Sequence, residues 1–345
     1  MFDSLFHSKT PTQKERSIYI PFKDGDPMDF QSYRGQTGIK RRIDIRIKTM
    51  QRGETFKALF YSPAGQGKTA LVRVLTAEMF RSGLVDNYVE VIATKFDNKA
   101  DIDMFIRKIP PHTLVFIDEI HGLGAGARDA LYPAIQDGVY NFNDSPNMVP
   151  LVPGISWLGA TTDLGRVHMA MQRRLIPMQL EPLTQEDLTA IATSQPFPVD
   201  RDAAMEMAKR CWTPWEIKDE VYTTARDLTK IEGQHVVTLD KVEEACVLLG
   251  IDRNGLRPRD RRVLECLYNS PRPLKREVVY ALSRGALVGM SGVDDPTFAG
   301  AIEPKLMKLG YITIRSVGRA LTDKALEEYF GNARETYNNQ SPASV

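Results

Sequence analysis

The stretch Ser62-Pro63-Ala64-Gly65-Gln66-Gly67-Lys68-Thr69 decides the fold class of this chain. An apolar run precedes it at residues 58–61, and a helical pattern follows it at residues 70–79. A glycine-rich loop between a strand and a helix points its backbone N–H groups, and the positive end of the helix, at bound phosphates. The sequence therefore predicts a nucleotide-binding P-loop.

The side chains of this loop have separate predicted roles. Lys68 is expected to reach the β- and γ-phosphates of ATP, and Thr69 is expected to ligate Mg²⁺. The loop backbone and the first helical turn are expected to border the nucleotide at Gly65, Gln66, Gly67 and Ala70. The first position of the motif, which is usually glycine, is Ser62, and this narrows the φ/ψ freedom of the loop.

A second strand supplies two carboxylates. Four consecutive apolar residues at 114–117 predict a strand buried on both faces, and Asp118 and Glu119 follow directly. Asp118 is expected to hold Mg²⁺ through water, and Glu119 to orient or deprotonate the attacking water. Thr161 and Thr162 end another predicted strand, where Thr162 could contact the γ-phosphate or the water.

The order of elements predicts an α/β fold followed by two smaller parts. Strand-like runs at residues 58–61, 88–93, 113–118, 155–162 and 176–180 alternate with helices, as in a parallel sheet. Residues 139–142 and 148–152 flank a turn-rich segment and predict a hairpin. The pattern then becomes helical, beginning with a capping Thr184 and an acid three residues later. The sequence also predicts helices at 261–268, 276–283 and 296–309, and a β-ribbon of residues 311–315 and 319–321. This combination is typical of a winged helix.

Composition limits the class of protein. The 345 residues, 42% hydrophobic and 26% charged, suit a folded chain of two or three domains. The net charge of +1 means that a nucleic-acid role would depend on a local basic patch. Three scattered cysteines argue against a disulfide framework or a zinc site. Without a signal peptide or an apolar run of ~20 residues, we expect a cytoplasmic protein with no membrane partner.

The chain resembles RuvB, the hexameric AAA+ motor of Holliday-junction branch migration, from about residue 30 to 330. The resemblance rests on FQSYRGQ (30–36), the P-loop, FIDEIH (116–121), LYPAIQD (131–137) and LGATTDLG (158–165). It continues in LLGID (248–252), DRRVL (260–264) and IEPKLMKLGYI (302–312). By this likeness, Tyr33 and Arg34 belong to the adenine-side segment, and residues 158–165 form the sensor 1 strand.

The likeness also assigns roles in the lid and at the subunit boundary. The family carries Gly-Thr-Pro-Arg in its lid, whereas this chain has Trp212-Thr213-Pro214-Trp215, so the sensor 2 arginine is absent. Pro214 is expected near the nucleotide, with Lys218, one turn on, as a candidate substitute. Arg174 is the better match to the family's arginine finger, and Arg173 is the alternative. The hairpin before sensor 1, which meets the partner RuvA in the family, is shorter here.

The resemblance implies an ATP-hydrolysing, helicase-like motor. It would work as a hexameric ring on double-stranded or Holliday junction DNA during recombination and repair, with a RuvA-like partner. An alternative is an AAA+ loader or remodeller that uses ATP to reposition a protein partner, with the winged helix as a docking module. A non-enzymatic, nucleotide-gated scaffold is disfavoured by the Asp118-Glu119 pair.

A local basic excess favours the DNA motor. It comprises Arg253, Arg257, Arg259, Arg261, Arg262, Arg272, Lys275, Arg276 and Arg284. In the predicted recognition helix, Ile302 and Leu306 share the core face, and Lys305 and Lys308 are expected to be exposed. Arg319 is expected at the ribbon tip. The predicted phosphate contacts are made by Lys305, Lys308, Arg315 and Arg319.

These patterns divide the chain into five segments. Residues 1–25 are expected to form an N-terminal arm, and residues 26–183 the large AAA+ ATPase domain with its parallel sheet. Residues 184–252 are expected to form the helical lid and residues 253–332 the winged-helix DNA-binding domain. A C-terminal tail is expected at residues 333–345.

Overall fold

The computed structural model describes residues 19–23, 25–274 and 277–331. Most of the predicted N-terminal arm, the whole C-terminal tail, and Lys275 and Arg276 lie outside these described residues. Buried apolar side chains form separate cores in the P-loop region, the helical region and the winged helix.

The P-loop region is built on a five-stranded sheet. The strands are β1 (Lys57–Tyr61), β2 (Asn87–Ile92), β3 (Thr113–Asp118), β6 (Ser156–Thr161) and β7 (Ile176–Gln179). Their order is β2-β3-β6-β1-β7, and every pair of neighbouring strands is parallel. All five predicted strands are confirmed, and their ends differ from the predicted ones by at most one residue. Because the strands are parallel, their carboxyl ends meet at one edge, where the P-loop and the two carboxylates lie.

Helices cover both faces of this sheet, which explains why the strands are almost continuously apolar. They are α1 (Thr37–Met50), α2 (Lys68–Arg81), α3 (Lys99–Ile106), α4 (Ala125–Asp137) and α5 (Met169–Arg174). Side chains of α1 and α2 pack in one core and those of α3, α4 and α5 in the other.

The predicted hairpin is confirmed, with shorter strands β4 (Val139–Tyr140) and β5 (Val149–Pro150). Tyr140 of β4 and residues 142 and 143 of the connecting loop are held against α3 and Arg107, which directly follows α3. The buried Asp103 carboxylate accepts hydrogen bonds from the Tyr140 hydroxyl at 2.5 Å and from the Asn143 backbone at 2.8 Å. Arg107 also lies 4.1 Å from the centroid of the Phe142 ring. We refer to these contacts as the hairpin clamp.

The helical region packs around its own core and contains α6 (Gln185–Thr193), α7 (Arg201–Arg210), a π-helical segment (Glu216–Tyr222), α8 (Thr223–Ile231) and α9 (Leu239–Leu248). The predicted start of α6 is confirmed: the Asp187 backbone N–H donates to the Thr184 hydroxyl at 3.1 Å, and the Thr184 N–H donates to the Asp187 carboxylate at 3.2 Å. We refer to this region as the lid.

The winged helix begins with α10 (Pro258–Tyr268). The helix predicted at residues 276–283 is wrong, because this stretch is β9 (Glu277–Leu282), paired antiparallel with β8 (Pro271–Leu274). Val279 and Leu282 are spaced for a helical face, but β-branched and aromatic residues at 278–280 favour a strand. A helix that was not predicted, α11 (Arg284–Ser291), follows.

The remaining elements agree with the predicted third helix and ribbon. Helical residues run through α12 (Asp295–Thr297), a π-helical segment (Phe298–Ile302) and α13 (Glu303–Lys308). The ribbon consists of β10 (Ile312–Arg315) and β11 (Gly318–Leu321), before α14 (Asp323–Phe330). The strand order in this sheet is β10-β11-β9-β8.

Polar contacts join the lid to the winged helix. Arg257, directly before α10, donates to Glu216 at 3.3 Å and pairs with Glu220. The Lys308 ammonium lies 4.9 Å from the centroid of the Trp212 ring. No helix of the described residues is long and apolar enough to cross a membrane.

Candidate functional site

Two adjoining cavities lie where the P-loop, the ends of the strands and the lid meet. The larger, of about 800 Å³, is bordered by predicted site residues from the P-loop, from the ends of two strands and from the lid. These are Gly65, Gly67, Lys68, Thr69, Ala70, Asp118, Glu119, Thr162, Pro214 and Lys218. The smaller, of about 150 Å³, is bordered by Tyr33, Arg34, Gln66, Gly67, Ala70, Pro214 and Lys218. The structure therefore brings together all the predicted nucleotide-site residues except the candidate finger, Arg174 or Arg173.

The P-loop holds its lysine through its own carbonyl groups. Lys68 Nζ donates to the Ser62 carbonyl at 2.8 Å and to the Pro63 carbonyl at 3.1 Å. Burial lowers the pKa of Lys68, and the nearby Glu119 and Asp118 charges oppose that effect. Gly65 and Gly67 have φ values of 77° and 90°, which favour glycine. Among the described residues, Ser62 is not one of the non-glycine residues with positive φ, so a serine is accommodated there.

Thr69, at the start of α2, and Asp118, at the end of β3, bring two side-chain oxygens together. The Thr69 hydroxyl donates to the Asp118 carboxylate at 3.2 Å. Burial raises the pKa of Asp118, which a nearby cation would reverse. Mg²⁺ in phosphate sites is commonly held by one or two protein oxygens together with substrate phosphates. The pair fits this ion, and the described residues contain no cluster of three or more His, Cys, Asp or Glu side chains suited to a metal.

Glu119 has a backbone conformation that non-glycine residues rarely adopt. Its φ and ψ are both 48°, in the left-handed region, and such strain is often found at functional sites. The Glu119 carboxylate accepts hydrogen bonds from both the backbone N–H and the hydroxyl of Thr162, each at 3.2 Å. His121 Nδ1 lies 3.2 Å from the same oxygen. Thr162 therefore orients Glu119. The predicted contact was with the γ-phosphate or the attacking water, whereas the contact in the structure is with the Glu119 side chain.

The smaller cavity lies beside the predicted adenine-side segment. The buried Tyr33 hydroxyl donates to the Gly67 carbonyl at 3.2 Å, and burial raises the pKa of Tyr33. Gln36 exchanges two hydrogen bonds with the backbone of Glu181. These contacts tie the segment to the P-loop and to the chain that leads into the lid.

The lid contacts the P-loop through the residues that replace the family's sensor 2 motif. The Trp215 backbone N–H donates to the Gly65 carbonyl at 3.4 Å, and a Cβ at Gly65 would lie 2.9 Å from the Thr213 hydroxyl. The Trp215 side chain is half exposed and borders the larger cavity. Lys218 reaches both cavities, and its ammonium donates to Asp26 at 2.5 Å.

Sequence reasoning missed several charged residues of the larger cavity. Asp26, Arg73, Arg226 and Lys230 all border it. They lie outside the recognised motifs, and no residue pattern pointed to them.

The candidate finger residues lie outside both cavities of their own subunit. Arg174 lies 4.5 Å from the centroid of the Tyr132 ring and donates to the Ala170 carbonyl at 2.9 Å. Its buried Nε has no partner among the described residues. Arg173 is exposed.

The predicted exposure of Lys305 is wrong. Its side chain is only 8% exposed, and its ammonium donates to Asp260 and to the Gly255 carbonyl at 2.8 and 2.7 Å. The reason is its spacing: Lys305 lies three residues after the buried Ile302 and therefore faces the core. Lys308 is exposed, as predicted.

The wing residues are placed differently from one another. Arg319 is not at the ribbon tip: it pairs across the sheet with Ile314, and its Nε donates to Glu303 at 2.6 Å. Arg315 is exposed at the end of β10. Within the predicted basic excess, Arg257, Arg261 and Arg284 are engaged with carboxylates. Exposed members are Arg253, Arg259, Arg262 and Arg272.

Comparison with known proteins agrees with this architecture. Residues 26–179 match the model of the Holliday junction DNA helicase RuvB P-loop domain, and residues 253–330 match that of the RuvB C-terminal winged helix domain. The Holliday junction branch migration complex subunit RuvB of Fusobacterium nucleatum is 26% identical over 88% of this chain and 92% of its own. That of Synechococcus sp. is 29% identical over 86% and 87%.

A solved structure shows the same fold. The Thermotoga maritima RuvB Holliday junction branch migration motor superimposes with a TM-score of 0.74, at 24% identity, over 88% of this chain and 97% of that one. The match to a family of P-loop ATPases implies that this chain hydrolyses ATP. From both domain matches and the similarity along most of its length, the chain belongs to the RuvB family.

Proposed function

We propose that this protein is an ATP-driven DNA motor subunit that moves the branch point of Holliday junctions as a hexameric ring on duplex DNA. The observation that carries the proposal is the cavity in which the P-loop lysine, the Asp118-Glu119 pair and the lid converge, on a chain that ends in a winged helix. The named function of the relatives supports the choice of DNA substrate.

ATP would place its phosphates along the P-loop and its base in the smaller cavity. Lys68 would leave its loop carbonyls to contact the β- and γ-phosphates. Thr69 and Asp118 would hold Mg²⁺, which neutralises phosphate charge. Glu119, oriented by Thr162, would accept the proton of the attacking water. Arg174 of a neighbouring subunit would reach the γ-phosphate, so hydrolysis would require the ring.

Replacing Glu119 by glutamine should slow turnover strongly while preserving ATP binding. The amide keeps the size of the carboxylate and can still accept from Thr162, but it cannot take a proton. General-base catalysis contributes a factor of about 10²–10⁴ to the rate, so turnover should decrease by a factor in that range. Phosphate release and equilibrium nucleotide binding would be measured on the same preparation. Loss of nucleotide binding in this variant would make Glu119 a structural residue.

For DNA, the structure suggests a sharper test than removal of Lys305. Arg319 is held by Glu303, so the Glu303→Gln variant should release Arg319 and increase affinity for duplex DNA. Arg319→Ala should decrease affinity equally on unrelated sequences, because phosphate contacts carry no sequence information. The log–log salt slope of binding should change by about 0.9 for every phosphate that a variant newly engages or releases.

Glu327→Gln is the matched control for this pair, because it removes the same charge from an exposed position on α14. It should raise duplex affinity less than Glu303→Gln does. If neither Arg319→Ala nor Glu303→Gln changes duplex binding at low salt, the wing does not contact DNA. The loader or remodeller function, with the winged helix docked on a protein, would then be favoured.

The hairpin clamp bears on the proposed RuvA-like partner. A partner that binds the hairpin has two options. It can bind the hairpin as it lies against α3, held by Asp103 and Arg107, or it can detach the hairpin from α3. The overall function would be tested by dissociation of a synthetic four-way junction with ATP, with and without a RuvA-type protein. Hydrolysis of ATP without junction movement under both conditions would contradict the proposed motor.

A further inference from the structure

Among the described residues, the boundary that the two cavities share has two charged side chains, those of Asp26 and Lys218. Five residues border both cavities: Asp26, Gly67, Ala70, Pro214 and Lys218. The side chains of Ala70 and Pro214 offer no hydrogen bond, and Gly67 has no side chain. Lys218 offers donors alone, and Asp26 as a carboxylate offers acceptors alone.

Asp26 is fixed from three directions. Its Oδ1 accepts from Lys218 of the lid at 2.5 Å, and its Oδ2 accepts from the Lys23 backbone at 2.8 Å. Arg73 of α2 lies 3.9 Å from Oδ2 and is itself held by Glu90 at 2.7 Å. The Asp26 side chain is only 10% exposed, so its position is set by packing as well as by charge. A carboxylate has about four lone-pair sites, which leaves acceptor capacity beside these contacts.

We propose that Asp26 recognises the ribose of the bound nucleotide and makes the site selective for ribonucleotides. This inference rests on the proposed placement of ATP, with the base in the smaller cavity and the phosphates at Lys68. The sugar joins base to phosphates, and it must therefore lie at the shared boundary. Its 2′- and 3′-hydroxyls are hydrogen-bond donors, and the Asp26 carboxylate is the acceptor side chain that this boundary supplies.

The proposal also gives Lys218 a definite role. Its ammonium, held by Asp26, keeps the lid beside the carboxylate and balances the charge of Asp26 next to the phosphates. Lys218 therefore positions Asp26 and contributes charge, while Asp26 makes the sugar contact. Removing Lys218 should weaken binding of all adenine nucleotides without abolishing the preference for ribose.

The test compares ADP, 2′-deoxy-ADP and 3′-deoxy-ADP by calorimetry on the full chain without DNA. A hydrogen bond to a charged group is strong enough that at least one deoxy nucleotide should bind the wild-type chain about tenfold more weakly. Asp26→Ala should bind ADP about as weakly as the wild type binds that deoxy nucleotide, with little further loss when the hydroxyl is removed. Asp26→Asn, which keeps the side-chain size, serves if the alanine variant does not fold.

Asp219→Asn is the matched control, because Asp219 is a carboxylate that borders the larger cavity but not the smaller one. It should retain the wild-type ratio of ADP to deoxy-ADP affinity, and Lys218→Met should still prefer ADP to deoxy-ADP. Equal affinities of the wild-type chain for all three nucleotides would overturn the proposal. So would an unchanged ratio in the Asp26 variants, which would indicate a purely structural carboxylate. If the wild-type chain binds none of the three, the nucleotide site itself fails, and the ribose contact fails with it.

Discussion

ATP hydrolysis by the Lys68→Ala variant is expected to fall by at least about 100-fold, the loss typical of removing one preorganised electrostatic contact to a transition state. Lys68 Nζ is buried at the start of α2 and is held only by carbonyl and hydroxyl oxygens of the loop. Phosphate oxygens carrying negative charge are stronger acceptors than those groups. The ammonium should therefore transfer to the phosphates when ATP binds, and alanine cannot replace it.

Phosphate release at saturating ATP would measure this loss, with thermal unfolding as a check that the variant folds. Lys57→Ala is a suitable control. Lys57 is another partly buried lysine that donates to a carbonyl, that of Gln136 at 3.0 Å, and it borders neither nucleotide cavity. The control should hydrolyse ATP at the wild-type rate. A wild-type rate in Lys68→Ala itself would contradict the P-loop assignment.

Turnover by Arg174→Ala should fall by about 10³–10⁵, the range measured for arginine fingers. Arg174 lies outside both cavities of its own subunit, so in the proposed ring it would act on the nucleotide of a neighbouring subunit. Binding of ADP should remain close to wild type, because this nucleotide lacks the γ-phosphate that the finger would contact. The residue is already positioned by Tyr132 and by the Ala170 carbonyl.

Mixing Arg174→Ala with Lys68→Ala subunits should restore part of the activity. In such rings, one subunit supplies an intact cavity and the other supplies the finger. The Arg173→Ala variant is the comparison, because Arg173 is adjacent and exposed. If mixed rings form but remain inactive, Arg174 does not act in trans. If Arg173→Ala shows the loss instead, the two residues exchange roles.

The parts of the fold that could be predicted are those in which the signal is local. The P-loop, the buried strand ending in Asp118 and Glu119, and the capped start of α6 each occupy fewer than about ten consecutive residues. Short apolar runs are more ambiguous, as residues 276–283 demonstrate. Val279 and Leu282 are three residues apart, as on one face of a helix, but in β9 they point to opposite faces of the sheet and pack in separate apolar clusters. The strand was decided by pairing with β8, which no local pattern revealed.

The site residues that escaped prediction depend on contacts between distant segments. Asp26, which was not predicted, lies 192 residues from its partner Lys218, which was, and neither has a motif that points to the other. Lys305 is different, since its spacing from Ile302 already placed it on the core face. The prediction that Lys305 is exposed followed the usual behaviour of lysine instead of the helical spacing.

The contacts between the lid and the winged helix have a mechanical consequence. Arg257 pairs with Glu216 and Glu220 of the lid, and Lys308 lies against Trp212, so we expect the lid and the winged helix to move together. The lid is joined to the P-loop region by the short segment at residues 180–184, in which the Glu181 backbone is hydrogen-bonded to Gln36. Rotation should therefore concentrate at that hinge, and the lid and winged helix should swing as one lever arm. If the lid rotates about this hinge, the displacement of each residue grows with its distance from the hinge. A small movement of Thr213 against Gly65 would therefore become a larger movement at the wing.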